Sequence, residues 1–144
     1  MDIGAELTAR LARRTLVAVY RREYDWGFDF GDKPSSGLRV SCPWRILHEN
    51  RIAFTDSDHA QQFGLPAPLD GEKEVERLLA NKIVENVTIR PDTGDLAITF
   101  AGPTILEVLN MSSGYEGWEI GLNGLSVIAT GGGELAIYTS NSKS

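Results

Sequence analysis

The chain has 144 residues, of which 42% are hydrophobic and 24% charged, and its formal net charge is −6 at pH 7. These values are typical of a globular domain and exclude a disordered chain. The single cysteine excludes an intramolecular disulfide and every cysteine-rich zinc motif. We therefore expect residues 1–144 to form a single domain.

The N-terminal sequence and the charge distribution predict a location and a class of partner. Residues 1–4 do not begin a signal peptide, and no apolar stretch approaches the roughly 20 residues that a membrane helix needs. Residues 1–22 hold five arginines, so the remainder of the chain is strongly acidic. An acidic body disfavours nucleic acid and suits a basic protein. The prediction is a cytoplasmic protein that binds neither membrane nor nucleic acid.

The first sixty residues predict a helix followed by short strands. Ile3, Leu7 and Leu11 recur at four-residue spacing, which predicts an amphipathic helix over about residues 3–13. After a turn at 23–25, large apolar residues alternate with others, as on half-buried strands. The alternating residues are Trp26, Phe28 and Phe30 and, after a Gly/Pro-containing turn, Leu38, Val40 and Cys42. The pattern predicts that Cys42 is a buried structural thiol.

A connector and a second helix open the other half. Residues 61–69 contain two prolines and a glycine, and we expect this connector to pack against the core. Asp70 is the predicted N-cap of a helix. The predicted buried residues of that helix are Val75, Leu78 and Leu79, and its predicted solvent-facing residues are Glu72, Glu74 and Glu76. Alternating strands follow, and the polar residues 139–144 are expected to fray.

Short segments of similar sequence recur in the same order in both halves, which predicts an internal duplication. Leu11–Val19 aligns with Leu79–Val87, and later matches follow at similar spacing. These are Leu38–Val40 with Leu106–Val108, Trp44 with Trp118, and Ala53–Asp58 with Ile128–Gly133. We predict a β-rich α+β fold of two tandem units, about 3–60 and about 70–138, each with one helix and four or five strands. The units share one core with pseudo-two-fold symmetry, as one sheet, a barrel or a sandwich.

Three segments carry residue types that active sites use, and each also has a structural interpretation. Asp56–His59 offers carboxylates and an imidazole to a metal, but the same residues stabilise turns. Gly131–Gly133 offers amides to a phosphate, although a hairpin with positive φ angles is simpler. Cys42 continues an apolar alternation, and no Gly-x-Ser-x-Gly motif is present. We predict no metal site, no cofactor and no enzymatic activity.

The segment before Trp118 is the most informative part of the sequence. Ten positions separate Val108 from Trp118, against four between Val40 and Trp44, so the second half contains six additional residues. Serines, glycines and the amphipathic Tyr115 favour a contact surface. The alternative is a longer hairpin whose tyrosine folds back on the core. The two tryptophans occupy matching positions and are predicted core anchors.

Residues 112–119 followed by 129–133 form the pattern S-S-G-Y-E-x-W…G-G-G. In this pattern the chain resembles small bacterial proteins of the polymorphic-toxin immunity type. The resemblance covers about residues 79–138 and, loosely, residues 11–46. It implies a partner, a cognate toxin delivered by cell contact, and it assigns no catalytic residue.

The predicted function is neutralisation of a cognate toxin by occlusion of its active site. The partner is expected to be basic, such as a nuclease or a nucleotide-modifying enzyme, because the chain is acidic. The predicted partner-binding residues are Tyr115, Glu116, Glu119, Ser112, Ser113, Asp56, Asp58 and Glu134. Two alternatives stay open: a non-catalytic adaptor, including a homodimer joined through strand edges, and a small-molecule or nucleotide-binding domain that uses Gly131–Gly133. The protein is a monomer or a homodimer in these predictions.

Overall fold

A computed structural model describes residues 1–31 and 37–140. Most of the predicted Gly/Pro turn before Leu38 and most of the polar segment 139–144 lie outside these residues. The helices are α1 (Ile3–Leu11) and α2 (Gly71–Leu79), and a short 3-10 helix spans Asp56–Asp58. The strands are β1 (Ala18–Arg21), β2 (Trp26–Asp29), β3 (Gly37–Val40), β4 (Trp44–His48), β5 (Arg51–Thr55), β6 (Val84–Ile89), β7 (Leu96–Phe100), β8 (Thr104–Val108), β9 (Trp118–Leu122), β10 (Leu125–Gly131) and β11 (Glu134–Thr139).

The strands form two antiparallel sheets, as the β-rich α+β prediction requires. One sheet has six strands in the order β1-β2-β3-β9-β10-β11, and the other has five in the order β5-β4-β8-β7-β6. Each sheet therefore takes strands from both halves of the chain. The halves join where β3 pairs with β9 and where β4 pairs with β8.

The two sheets pack face to face through alternate side chains. The ring of Trp44 lies edge-on to Trp26 at a centroid distance of 5.0 Å and to Phe28 at 5.3 Å. Trp118 is also buried, and its Nε1 donates a hydrogen bond to the carbonyl oxygen of Gly94 over 2.9 Å. The prediction that Trp44 and Trp118 are core anchors is confirmed.

Helix α1 lies against the edge strand β6. Asp2 accepts a hydrogen bond from Ala5 N over 3.0 Å, which caps the helix, and Leu7 and Leu11 are buried as predicted. The helix ends two residues earlier than predicted, because Arg13 adopts φ 73°, which an α-helix does not allow.

Helix α2 begins as the sequence predicts. Asp70 accepts hydrogen bonds from Glu72 N and Lys73 N, which confirms the predicted N-cap. The predicted core residues Val75, Leu78 and Leu79 are buried. Of the predicted solvent-facing residues, Glu76 is exposed, while Glu72 and Glu74 are half-buried. Glu72 accepts a hydrogen bond from Arg21 N over 3.2 Å, and Glu74 accepts one from Arg77 Nη2 over 2.8 Å.

The expectation that the connector packs against the core is wrong. Residues 61–68 are exposed, and Phe63 keeps 66% of its surface accessible. The reason is that the connector satisfies its own backbone: Leu65 N donates to Gln62 O over 2.7 Å, and Leu69 N to Gln61 O over 2.8 Å. Only its last residue, Leu69, packs against the core.

Candidate functional site

The loops that join the strands at one end of the sandwich lie together; we call this region the loop end. It comprises residues 22–25, 41–43, 90–95, 109–117 and 132–133 and the 3-10 helix 56–58. The pairings of Val40 with Trp118 and of Trp44 with Val108 bring the loops of both halves to this same end. The loop end is acidic, with seven carboxylates against Arg22 and Arg90. The carboxylates belong to Glu23, Asp25, Asp56, Asp58, Asp92, Asp95 and Glu116.

The longest of these loops, 109–117, contains the predicted insertion, and its base is held by hydrogen bonds with two neighbouring loops. Asn110 N donates to the Asp95 carboxylate, and Asn110 Nδ2 donates to Thr93 O, each over 2.9 Å. Gly132 N donates to Ser112 O over 2.9 Å. These hydrogen bonds fix the backbone conformation of the loop.

The tip of the loop is fixed by Ser112 and by a close glycine contact. Ser112 Oγ accepts hydrogen bonds from Gly114 N over 3.1 Å and from Tyr115 N over 2.9 Å. Gly131 packs against this turn with φ 111°, and a Cβ there would lie 2.8 Å from the Gly114 carbonyl carbon. Glycine at position 131 is required both by its backbone angle and by this contact.

Two large side chains project from this fixed backbone into solvent. Tyr115 is 82% exposed and Met111 is 73% exposed. Together with residues 41–43 they line an open cleft of about 760 Å³. The alternative interpretation, in which Tyr115 folds back on the core, is therefore wrong. Exposed aromatic and thioether groups on an ordered loop are typical of protein-binding surfaces.

Cys42 lies in the floor of the cleft. It is half-buried rather than fully buried as predicted, because it follows the last residue of β3 by two positions. Burial raises the pKa of its thiol to about 12, and Sγ lies 3.9 Å from the Asn110 side-chain oxygen. A thiol with this pKa is protonated at neutral pH, which fits a packing role rather than a nucleophile.

The predicted partner-binding residues fall into three places. Ser112, Ser113, Tyr115 and Glu116 share the loop 109–117, and the exposed Glu134 begins β11 directly after the turn that contacts this loop. Asp56 and Asp58 lie beyond residues 41–43 and accept hydrogen bonds from Trp44 N and Thr55 N. Glu119 lies on the outer face of its sheet, where its carboxylate is 3.5 Å from Arg39 Nη1. The structure thus groups the first set and separates Glu119 from it.

The segments weighed for metal and phosphate chemistry have structural partners. His59 Nδ1 accepts a hydrogen bond from Gly71 N over 2.9 Å. Within residues 1–31 and 37–140, no group of three or more His, Cys, Asp or Glu side chains is placed to hold a metal ion. Gly131–Gly133 forms the β10–β11 hairpin turn with positive φ angles, as predicted, and its central amide is bound to Ser112 O.

Sequence reasoning missed two exposed side chains at the loop end. Tyr24 lies in the β1–β2 turn beside a second cleft of about 390 Å³, which shares residues 41–43 with the first. Met111 was part of the informative segment but was not predicted as a contact residue. A large side chain in a four-residue turn is too far from the core to be buried. The position of Tyr24 in such a turn could therefore have predicted its exposure.

No protein-family model, curated protein or solved structure matches the chain. In the described parts of the chain, neither helix has the length and apolar character needed to cross a membrane.

Proposed function

We propose that this protein is an immunity protein that binds a cognate toxin through the loop end and occludes the toxin's active site. The observation that carries the proposal is the exposed Tyr115 on a loop whose backbone is fixed by hydrogen bonds that its amides donate to Ser112 Oγ. The same residues supply the sequence pattern that resembles immunity-type proteins. The proposed activity is binding, without catalysis.

A fixed backbone makes Tyr115 an effective anchor. Binding by a mobile loop loses free energy through ordering of the loop, whereas a loop already held in place avoids most of that cost. Tyrosine presents a large apolar ring and a hydroxyl with few rotatable bonds. Met111, which lines the same cleft, adds an adaptable apolar surface.

The charge of the loop end supports a basic partner surface. Carboxylates at the rim attract a basic partner over distance and raise the association rate more than the final affinity. Toxins that act on nucleic acid or nucleotides have basic active sites, because their substrates are anionic. Acidic loops that cover such a site would exclude its substrate.

Cys42 and the two histidines each contact a different partner in the residues described, which supports a binding role. Cys42 Sγ contacts Asn110, His48 Nδ1 contacts Thr104, and His59 Nδ1 accepts from the Gly71 amide. His48 does lie between a hydroxyl and a carboxylate, because its Nδ1 is 3.0 Å from Thr104 Oγ1 and its Nε2 is 3.9 Å from Glu49 Oε1. Thr104 is fully buried, however, so its hydroxyl is not open to a substrate.

We further propose that the loop end arose by internal duplication of units of about 3–60 and about 70–138. Strand register supports this: Leu38 pairs with Ile120 and Val40 with Trp118, while Leu106 pairs with Ile46 and Val108 with Trp44. Thr15 also bridges Ile83, its own aligned position. The strand pairing changes one detail of the sequence alignment. Ile46 pairs with Phe54, and the equivalent Ile120 pairs with Val127, so Val127 rather than Ala129 is the residue equivalent to Phe54.

Co-expression with the product of the adjacent open reading frame tests the proposed function. We expect a stable complex and rescue of growth in cells that produce the partner. Tyr115→Ala should weaken the complex by about 2 kcal/mol, about 30-fold in Kd, as loss of a central aromatic anchor does. Isothermal titration calorimetry measures this change.

Ile52→Ala is the matched control, because Ile52 is also an exposed apolar residue but lies on β5, away from the loop 109–117. It should leave Kd unchanged within about twofold. A neighbouring product that neither binds nor becomes harmless in the presence of this chain would contradict the immunity proposal. Binding that is equally insensitive to both substitutions would place the interface elsewhere.

A further inference from the structure

The two sheets have four edges, and three of them are protected against pairing with another strand. Along β6, Thr8 Oγ1 of α1 accepts from Val87 N over 2.9 Å and lies 3.1 Å from Val87 O. Along β1, the Glu72 carboxylate of α2 accepts from Arg21 N. Strand β5 begins with the charged Arg51, and its register shifts opposite Ile46 and Leu47. A covering helix, a charge and a bulge are the usual means of blocking an edge.

On the fourth edge, β11, the charge and the bulge are confined to the first residue: Glu134 begins the strand, and the register shifts between Ala129 and Gly131 of β10. Residues 135–139 pair regularly with β10, and no helix side chain is hydrogen-bonded to them in the residues described. Strand β11 is the last strand of its sheet, and its residues 135–139 (Leu-Ala-Ile-Tyr-Thr) carry no charge and no proline. Ile137 is 41% exposed and Tyr138 is 60% exposed. A regular, uncharged and partly apolar edge strand of this kind is a template for another strand.

The hydrogen-bonding groups on the outer side of β11 follow from its pairing with β10. Ser140 N donates to Gly124 O, and inward and outward groups alternate along an antiparallel strand. The amides and carbonyls of Ala136 and Tyr138 therefore face β10. Those of Leu135, Ile137 and Thr139 point away from the sheet and are available to a second strand.

We propose that β11 pairs antiparallel with β11 of a second copy of this chain, with Ile137 at the two-fold axis. This register sets Leu135 opposite Thr139 of the other copy, so all outward groups on both strands meet partners. It also sets the small Ala136 opposite the large Tyr138. The one charged residue, Glu134, falls opposite Ser140, so no like charges face each other across the pair.

The expected dimer is weak and has a characteristic salt dependence. One strand pair buries less surface than a standard interface, which corresponds to a micromolar or weaker Kd. Each copy carries a net charge of −6, so the two copies repel each other and added salt strengthens the dimer. Binding of a basic partner to the acidic loop end would weaken under the same change. The dimer is independent of the proposed immunity function, and the salt responses distinguish the two.

Sedimentation velocity of the full chain tests the proposal, at protein concentrations from about 10 µM to about 1 mM and at about 50 mM and about 500 mM NaCl. We expect a monomer–dimer equilibrium that shifts toward dimer at the higher salt. Ile137→Lys places a charge at the two-fold axis, and Thr139→Pro removes an outward amide without touching one that faces β10. Both variants should remain monomeric throughout the range.

Ile52→Lys is the matched control, because it adds the same charge to the edge strand of the other sheet. It should dimerise like the unmodified chain. Circular dichroism and a thermal melt confirm that each variant is folded. A monomer at every concentration, or a dimer that persists in both Ile137→Lys and Thr139→Pro, would overturn the proposal. Loss of the dimer in Ile52→Lys alone would place the interface on β5 and would also overturn it.

Discussion

Trp44 and Trp118 each begin a strand in the core, yet their indole N–H groups have different surroundings. Trp118 Nε1 donates to Gly94 O, which belongs to the turn 90–95. The turn 22–25 is two residues shorter, and among the described residues Trp44 Nε1 has no hydrogen-bond partner. A hydrogen bond such as the one that Trp118 makes to the longer turn is worth more than its average, because a buried donor left without an acceptor costs about 1–3 kcal/mol.

The thiol of Cys42 gives a prediction at the same scale. Because burial raises its pKa from 9.0 to about 12, the native protein holds about a thousandfold less thiolate near neutral pH than an exposed cysteine does. Labelling with a thiol-specific reagent should accordingly be slow in the native state and fast in denaturant. The native state keeps the thiol proton to a higher pH than the unfolded chain does. Its contribution to the free energy of unfolding is therefore fully present below pH 9.0 and is lost as pH rises toward about 12.

Rapid labelling of the native protein near pH 8, at the rate of the denatured chain, would contradict the burial of this thiol. Ser41→Cys provides the control, because Ser41 is the exposed neighbour of Cys42. In a Cys42→Ser background this second thiol should react at close to the rate of a free cysteine. The comparison separates burial of the thiol from a general lack of access to the cleft.

At the scale of elements, periodicity predicted the helices and core strands, because each depends on local side-chain spacing. The four-residue recurrence of Leu7 and Leu11 and the N-cap Asp70 suffice for the two helices. The connector was predicted wrongly, because its apolar composition does not reveal that Gln61 and Gln62 satisfy its backbone. Sequence composition predicted that Tyr115 lies on a contact loop, but the hydrogen bonds that fix the base of this loop join distant segments, which no local pattern encodes.

The start of α2 gives a prediction for an element. An added Cβ at Gly71 would lie 2.5 Å from Trp26 Cη2 and 2.9 Å from His59 Nδ1. Gly71→Ala should therefore lower the free energy of unfolding by about 1–3 kcal/mol, although alanine favours helices, because overpacking displaces the ring of Trp26. Urea denaturation followed by tryptophan fluorescence measures the change.

Gly121→Ala serves as the comparison for this substitution. No atom lies within 4 Å of an added Cβ at Gly121 among the residues described, so the change should be within about 0.5 kcal/mol of neutral. A Gly71→Ala protein as stable as the original would show that α2 can shift away from Trp26 without loss. Equal destabilisation by both substitutions would instead point to a general effect of replacing glycine.

At the scale of the whole molecule, charge is divided between the two ends of the sandwich. The loop end has seven carboxylates against two arginines. At the opposite end, the described turns 12–17, 49–50 and 80–83 hold Arg13, Arg14 and Lys82 against Glu49. A basic partner is therefore attracted to one end and repelled from the other, which favours one orientation of approach.

This asymmetry predicts how salt affects the proposed toxin complex. Raising NaCl from about 50 mM to about 500 mM should lower the association rate constant by about tenfold, with a smaller change in dissociation. The double substitution Asp92→Asn and Glu116→Gln should reduce this dependence. Asp95 is left intact, because its carboxylate holds Asn110. Stopped-flow fluorescence measures the rates, and a salt-independent association would contradict steering by the loop end.

Each of the two junctions between the halves has an ion pair, and in both pairs the first half supplies the arginine and the second half the glutamate. Arg39 of β3 faces Glu119 of β9, while Arg45 of β4 faces Glu107 of β8. In the proposed duplication, a dimer of the first unit with itself would set Arg39 against Arg45, and a dimer of the second unit would set Glu107 against Glu119. Like charges would then meet twice in either self-pairing. At both junctions of the single chain, the charges therefore favour pairing of the first unit with the second over pairing of either unit with a copy of itself.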